Sequence, residues 1–165
     1  MSAGPDGRLW VAFFNHSTNA VSVVRTNEAD TAFGKVETYS TPCFEDGLIG
    51  LSGGAWGRLN VALDCVRTSD FKVETYATQA LTSLALSPSS HTILNTATRS
   101  VTFKVTDVGD PVEGATVTVD GKHATTGPSG NATFSFAIRT APGTYRVTAA
   151  GNNYYGASAS LTVKK

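Results

Sequence analysis

The sequence predicts an all-β protein of two modules, and three observations carry the prediction. Apolar residues alternate with small or polar ones through the last third of the chain. Turn-forming clusters punctuate it at short intervals, and no stretch shows a helical period. Successive strand side chains point to opposite faces, so alternation of this kind means sheets with one buried face each, and short strands between such turns predict a sandwich.

In chain order, Pro5-Asp6-Gly7 is a strong turn, because proline presets φ and glycine accepts a positive one. Residues 9–14 read as a strand, 15–19 as a turn, 20–25 as the returning strand and 35–40 as a third strand ended by Pro42. Much of this recurs. Gly7-Arg8-Leu9-Trp10-Val11-Ala12 reappears as Gly57-Arg58-Leu59-Asn60-Val61-Ala62, Val24-Arg25-Thr26 as Val66-Arg67-Thr68, and residues 35–39 as residues 72–76.

The Gly4-Pro5-Asp6-Gly7 turn, the Leu9-Trp10-Val11 strand after it and the tyrosine strand before Pro42 are similar to the repeat of streptogramin-lyase-like β-propellers. That resemblance implies two blades, residues 1 to about 43 and about 47 to 82. The second copy departs from the pattern, with Gly53-Gly54-Ala55-Trp56-Gly57 in place of the first turn and Asn60 in place of the tryptophan. Closed propellers typically need about four to eight blades. Three arrangements therefore stay open: the tail of a longer propeller, a ring of several two-blade chains, or a sandwich of the two repeats alone.

Residues 81–86 read as a strand and 87–90 as a short linker into the second module. There, Val101, Phe103 and Val105 share one face, as do Ala115, Val117 and Val119, and then Ala132, Phe134, Phe136 and Ile138. Tyr145, Val147 and Ala149, with Ala157, Ala159, Leu161 and Val163, complete the buried set. Residues 83–165 resemble the bacterial immunoglobulin-like domains of surface and secreted proteins. The segment Gly109–x–Pro111-Val112–x–Gly114-Ala115–x–Val117, the turn from Thr126 to Gly130, and Gly143-Thr144-Tyr145 carry the likeness. It implies a β-sandwich, an extracellular or cell-surface setting and a spacer, stalk or adhesive role.

Composition sets the outer limits. Lys plus Arg and Asp plus Glu are both 13 in 165 residues, so the zero net charge favours neither nucleic acid nor an anionic membrane. No apolar run approaches the ~20 residues that span a bilayer, so membrane insertion is not expected. Residues 1–5 are not a signal peptide; a secreted parent would make this a mature piece or an excised fragment. The even pair Cys43 and Cys65, in a chain expected outside the cell, predicts a disulfide tying one repeat to the other.

No catalytic constellation emerges. Gly50-Leu51-Ser52-Gly53-Gly54 matches a nucleophile elbow, but the elbow needs a following helix and here a strand follows. His16, His91 and His123 lack metal-ligand spacing, and Glu28 with Asp30, Glu45 with Asp46, or Asp107 with Asp110 are expected to bond their own turns rather than calcium. No residue maps onto the lyases' catalytic set. Neither a metal nor a cofactor is expected.

The remaining candidates are contacts. Trp10 and Trp56 can stack on sugar rings or fill the core between repeats, with the core favoured for Trp10 and Phe13; Tyr154 and Tyr155 lie in an expected loop, as an exposed contact or equally as a packed hairpin tip. Asn15-His16-Ser17 and Asn131-Ala132-Thr133 fit the N-glycosylation acceptor pattern. The expectation is a non-catalytic secreted or cell-surface module with a structural or adhesive role, self-assembling or glycan-binding. Its partners would be another copy, another chain with a β-edge, or a carbohydrate. Two other classes compete: the C-terminal fragment of a larger propeller lyase or glycosidase whose site lies elsewhere, and a filament or surface-layer subunit. Residues 9–14 and 47–51, without charge or proline, are the edges expected to recruit a partner.

Overall fold

The computed structural model describes residues 1–53, 57–67 and 69–165, with side chains for all of these except 44–48 and 74. The elements are β1 (Ser2–Ala3), a 3-10 turn (Pro5–Gly7), β2 (Leu9–Asn15), β3 (Ala20–Arg25), β4 (Glu37–Ser40), β5 (Cys43–Gly53), β6 (Leu59–Arg67) and β7 (Val73–Ala80). There follow β8 (Thr82–Ser83), β9 (Ala85–Ser87), β10 (Ser90–Leu94), β11 (Arg99–Asp107), β12 (Asp110–Pro111), β13 (Thr116–Val119) and β14 (Lys122–Thr125). β15 (Asn131–Phe136), β16 (Gly143–Ala150), β17 (Tyr154–Tyr155) and β18 (Ala157–Lys164) complete the chain. They gather into two compact units, Met1–Thr82 and Ser83–Lys165. The protein is all-β.

In the first unit a sheet β1-β2-β3-β4 and a sheet β5-β6-β7, both antiparallel, enclose one core. Trp10, Phe14, Val21 and Val23 line it from the first sheet. Leu59, Val61, Leu63 and Cys65 line it from β6, whose alternation is regular, with Asn60, Ala62 and Asp64 turned outward. Removing such side chains from water stabilises by about 1.5–3 kcal/mol each. The Asn15 side chain shapes the β2–β3 hairpin: its Oδ1 accepts from the Ser17 amide at 3.0 Å and the Ser17 hydroxyl at 2.7 Å.

The two sequence repeats become the two sheets, but not as equivalent copies. β6 begins like β2 (Gly-Arg-Leu) and ends like β3 (Val-Arg), so the β2–β3 hairpin has no counterpart in the second copy. The matched positions also face opposite ways: Trp10 is buried, whereas Asn60 is exposed between buried Leu59 and Val61. A strand that exchanges tryptophan for asparagine turns its other face to the core.

Three expectations are corrected here. β2 is not an edge, since β1 and β3 flank it. Phe13 is 44% exposed on the outer face and lies outside the core. The disulfide forms, between Cys43 and Cys65, but it joins neighbouring strands of one sheet rather than one repeat to the other. Cys43 is the first residue of β5, not the tail of the first sheet. Of the edge expected at 47–51, the side chains of Gly47 and Leu48 lie outside the described residues.

In the second unit the sheet β10-β18-β16-β13-β14 faces a sheet built on β11, which pairs with β9, β12 and β15. All pairs are antiparallel except β10–β18, which is parallel. Two facing sheets in this order, with the parallel strand beside the last one, make an immunoglobulin-like β-sandwich. Phe103, Val105, Val117, Phe136, Val147 and Leu161 fill its interior. Asp120 and Gly121, both at positive φ, close the tight β13–β14 hairpin.

The turn from Thr126 to Gly130 is pinned from within. Buried Thr126 donates its hydroxyl to the Val112 carbonyl at 2.7 Å and accepts from the Ala115 amide at 2.9 Å. Gly130 has φ +74°, and a Cβ there would lie 2.5 Å from the Val105 carbonyl oxygen, so glycine is required.

Here too the sequence reading needs amendment. Residues 81–86 do not form one strand, and 87–90 are not a linker: Leu84 and Leu86 are buried in the second core, which places that turn inside the unit. Ile138 is 56% exposed because β15 ends at Phe136. Tyr154 and Tyr155 form β17 rather than a loop. Lys104 faces outward between buried Phe103 and Val105. No helix among the described residues is long and apolar enough to cross a membrane.

Candidate functional site

Turned away from the first core, the outer face of β5-β6-β7 carries an open hollow. Register sets its rows. Gly50, Ala62 and Ala77 lie side by side across the three strands, as do Ser52, Asn60 and Gln79. Small side chains in the first row leave a hollow of about 650 Å³, walled by the polar row. Gln79 Nε2 donates to Asn60 Oδ1 at 3.0 Å, and one row beyond Ala62 the Thr75 hydroxyl donates to Asp64 Oδ1 at 2.7 Å.

Among the described residues the lining is neutral: Asn60, Gln79 and Ser52 supply two amides and a hydroxyl, Gly50, Ala62 and Ala77 the small floor, and Leu51, Val61 and Thr78 the row between, which faces the core, with no cation, histidine or aromatic ring. Such a surface offers hydrogen bonds and close contact. Among its described lining residues there is no general base, nucleophile–base pair or anion cradle. Ser52 stands within β5, paired across to Asn60 of β6, rather than at a strand-to-helix turn.

Most of the other candidates are placed in structural roles. Trp10 is 1% exposed and packs in the first core, with the Arg25 guanidinium 5.1 Å from its ring centroid, so it is not a surface contact. Trp56 lies outside the described residues. Tyr154 is half-buried against the second core, and Tyr155 is 40% exposed. Asn15 is engaged in its hairpin, while Asn131 stands exposed opposite Lys104.

Glu28 pairs with buried Arg8 at 2.9 Å, and Asp30 accepts from the Thr26 hydroxyl. The side chains of Glu45 and Asp46 lie outside the described residues. His16 packs edge-on against Phe14, and His123 Nδ1 meets the Thr118 hydroxyl at 2.9 Å. Among the described residues no three His, Cys, Asp or Glu side chains gather to hold a metal ion.

Sequence reasoning missed two features. One is Arg25, fully buried, which donates to the Gly57 carbonyl at 3.3 Å and the Thr82 hydroxyl at 3.0 Å. The other is the hollow. Its signal was present in the replacement of tryptophan by Asn60, which marks a solvent-facing position.

No family model matches the chain, and no curated protein matches it. Solved structures do. The fibronectin(III)-like modules of Clostridium thermocellum CbhA are 14% identical, with 99% of this chain and 88% of that chain covered and a TM-score of 0.36. A chimeric titin Z1Z2-Z1Z2 tandem, functionalized with a GRGDS peptide from fibronectin, is 15% identical, with 100% and 95% covered and a TM-score of 0.38.

Proposed function

We propose that this chain is a non-catalytic structural or adhesive module of the cell surface or extracellular space, and that the outer face of β5-β6-β7 takes an uncharged oligosaccharide. The hollow carries this reading. Its floor of small side chains leaves room for a sugar ring, and its walls supply two amides and a hydroxyl, which match vicinal hydroxyl groups without charge. The disulfide supports an oxidising compartment.

Titration calorimetry of the intact protein against a panel of neutral oligosaccharides tests the reading. Binding heat is expected with at least one member. Ala62→Phe, which fills the floor from an exposed position, should abolish it without lowering the melting temperature. A panel that gives no heat, or a variant that binds as the parent does, would refute the assignment.

A further inference from the structure

We infer that β7 is a docking edge for a second copy of this chain, joining two β5-β6-β7 sheets into one six-stranded sheet about a two-fold axis. A sheet edge presents unpaired amides and carbonyls, and proteins protect such edges by shortness, bulges, charge or cover. The other edges show these devices. β1 and β4 have two and four residues. β5 has two register shifts, and its end is covered: the Gly53 amide donates to Ser2 Oγ at 2.9 Å, and a Cβ on Gly53 would lie 2.1 Å from the Ala3 carbonyl oxygen.

In the second unit β10 and β14 have five and four residues, and Lys122 and His123 stand on β14. Beside β15, Lys122 Nζ donates to the Ser135 carbonyl at 2.9 Å. β7 is neither short nor bulged. It runs for eight residues in unbroken register with β6, without proline, and Glu74 is its one charged residue. At its start Phe71 and Val73 are 74% and 75% exposed, an apolar surface beside the open edge.

The strand is also compatible with itself. A two-fold axis perpendicular to the sheet joins residues of the same face, so odd positions meet odd and even meet even. Centred on Tyr76, it sets Thr75 against Ala77, Val73 against Gln79 and Glu74 against Thr78. Centred on Ala77, it sets Thr75 against Gln79 and Glu74 against Ala80. In neither register does position 74 stand opposite its own copy, the like-charge pairing that disfavours a cross-strand contact. Ala77 and Gln79 line the hollow, so pairing brings two hollows onto one continuous face.

Sedimentation equilibrium of the full, oxidised chain without saccharide tests this independently of any glycan. A dimer is expected whose dissociation constant rises by roughly tenfold or more in Ala77→Lys and in Thr75→Lys, which place like charges at or beside the axis. Two edge variants guard against one that fails to fold. Ala62→Lys, the same chemistry one strand inward, should leave the dimer intact. A chain monomeric up to roughly 1 mM overturns the inference. So does a dimer insensitive to both edge variants, or one equally weakened by Ala62→Lys. Pairing of β7 only with a different protein's strand would also show as a monomer, and would overturn it.

Discussion

Trp10 and Asn60 occupy matched places in the repeat and yet face opposite ways, because the larger apolar surface decides which side of a strand is buried. Sequence alone held that difference, but not its consequence, since facing depends on what the opposite sheet supplies. Trp10→Ala should cost about 3–5 kcal/mol in urea denaturation, the range for emptying a large core position. A cost under ~1 kcal/mol would mean that the first core is not closed around it.

The glycines give a second test at this scale. Gly121 and Gly130 both have positive φ, but only at Gly130 would a Cβ meet backbone, 2.5 Å from the Val105 oxygen. Gly121→Ala should cost about 1–2 kcal/mol from conformation alone. Gly130→Ala should cost roughly 1–3 kcal/mol more from overlap. Equal melting temperatures for the two variants would contradict the close approach.

Among the elements, strands with clean alternation were legible. β11, β13, β15 and β18 follow the expected faces, because every second residue is apolar and the turns between them carry glycine, aspartate or proline. β10 was missed: Ser90–Leu94 has one buried residue, Ile93, and its parallel partner β18 lies far away in sequence. From sequence, β9 reads as part of a longer strand over 81–86. Pairing that depends on such distant partners leaves little local signal.

The disulfide shows the same limit. Its formation followed from the cysteine count, but its position within one sheet depended on where β5 begins. With its cysteines 22 positions apart in the sequence, the bond should contribute about 3 kcal/mol by restricting the unfolded chain. The non-reduced protein should contain no titratable thiol. Its intact mass should show loss of only the two disulfide hydrogens, since exposed Lys104 lacks the burial that would activate it toward Asn131. A further loss of about one ammonia would reveal that cross-link.

At the scale of the whole molecule, the two cores share no residue among the described ones. One draws only on residues up to Ala80, the other only on residues from Leu84 onward. Cooperativity in a β-sandwich comes from burial within a common core, so the full chain should unfold in two transitions rather than one. The disulfide lies wholly in the first core and can bias only the unit that contains it. Reduction should therefore lower the first unit's melting temperature and leave the second unit's unchanged. Residues 83–165 alone should melt where the second transition of the full chain does. A fragment beginning at residue 89 should melt lower, because it lacks Leu84 and Leu86 and the β9 strand that pairs with β11. Differential scanning calorimetry of the oxidised chain, the reduced chain and the two fragments reads all of this in one series. A single transition that moves as a whole on reduction would show that the two units fold as one, and that the core boundary between Ala80 and Leu84 is not an energetic one.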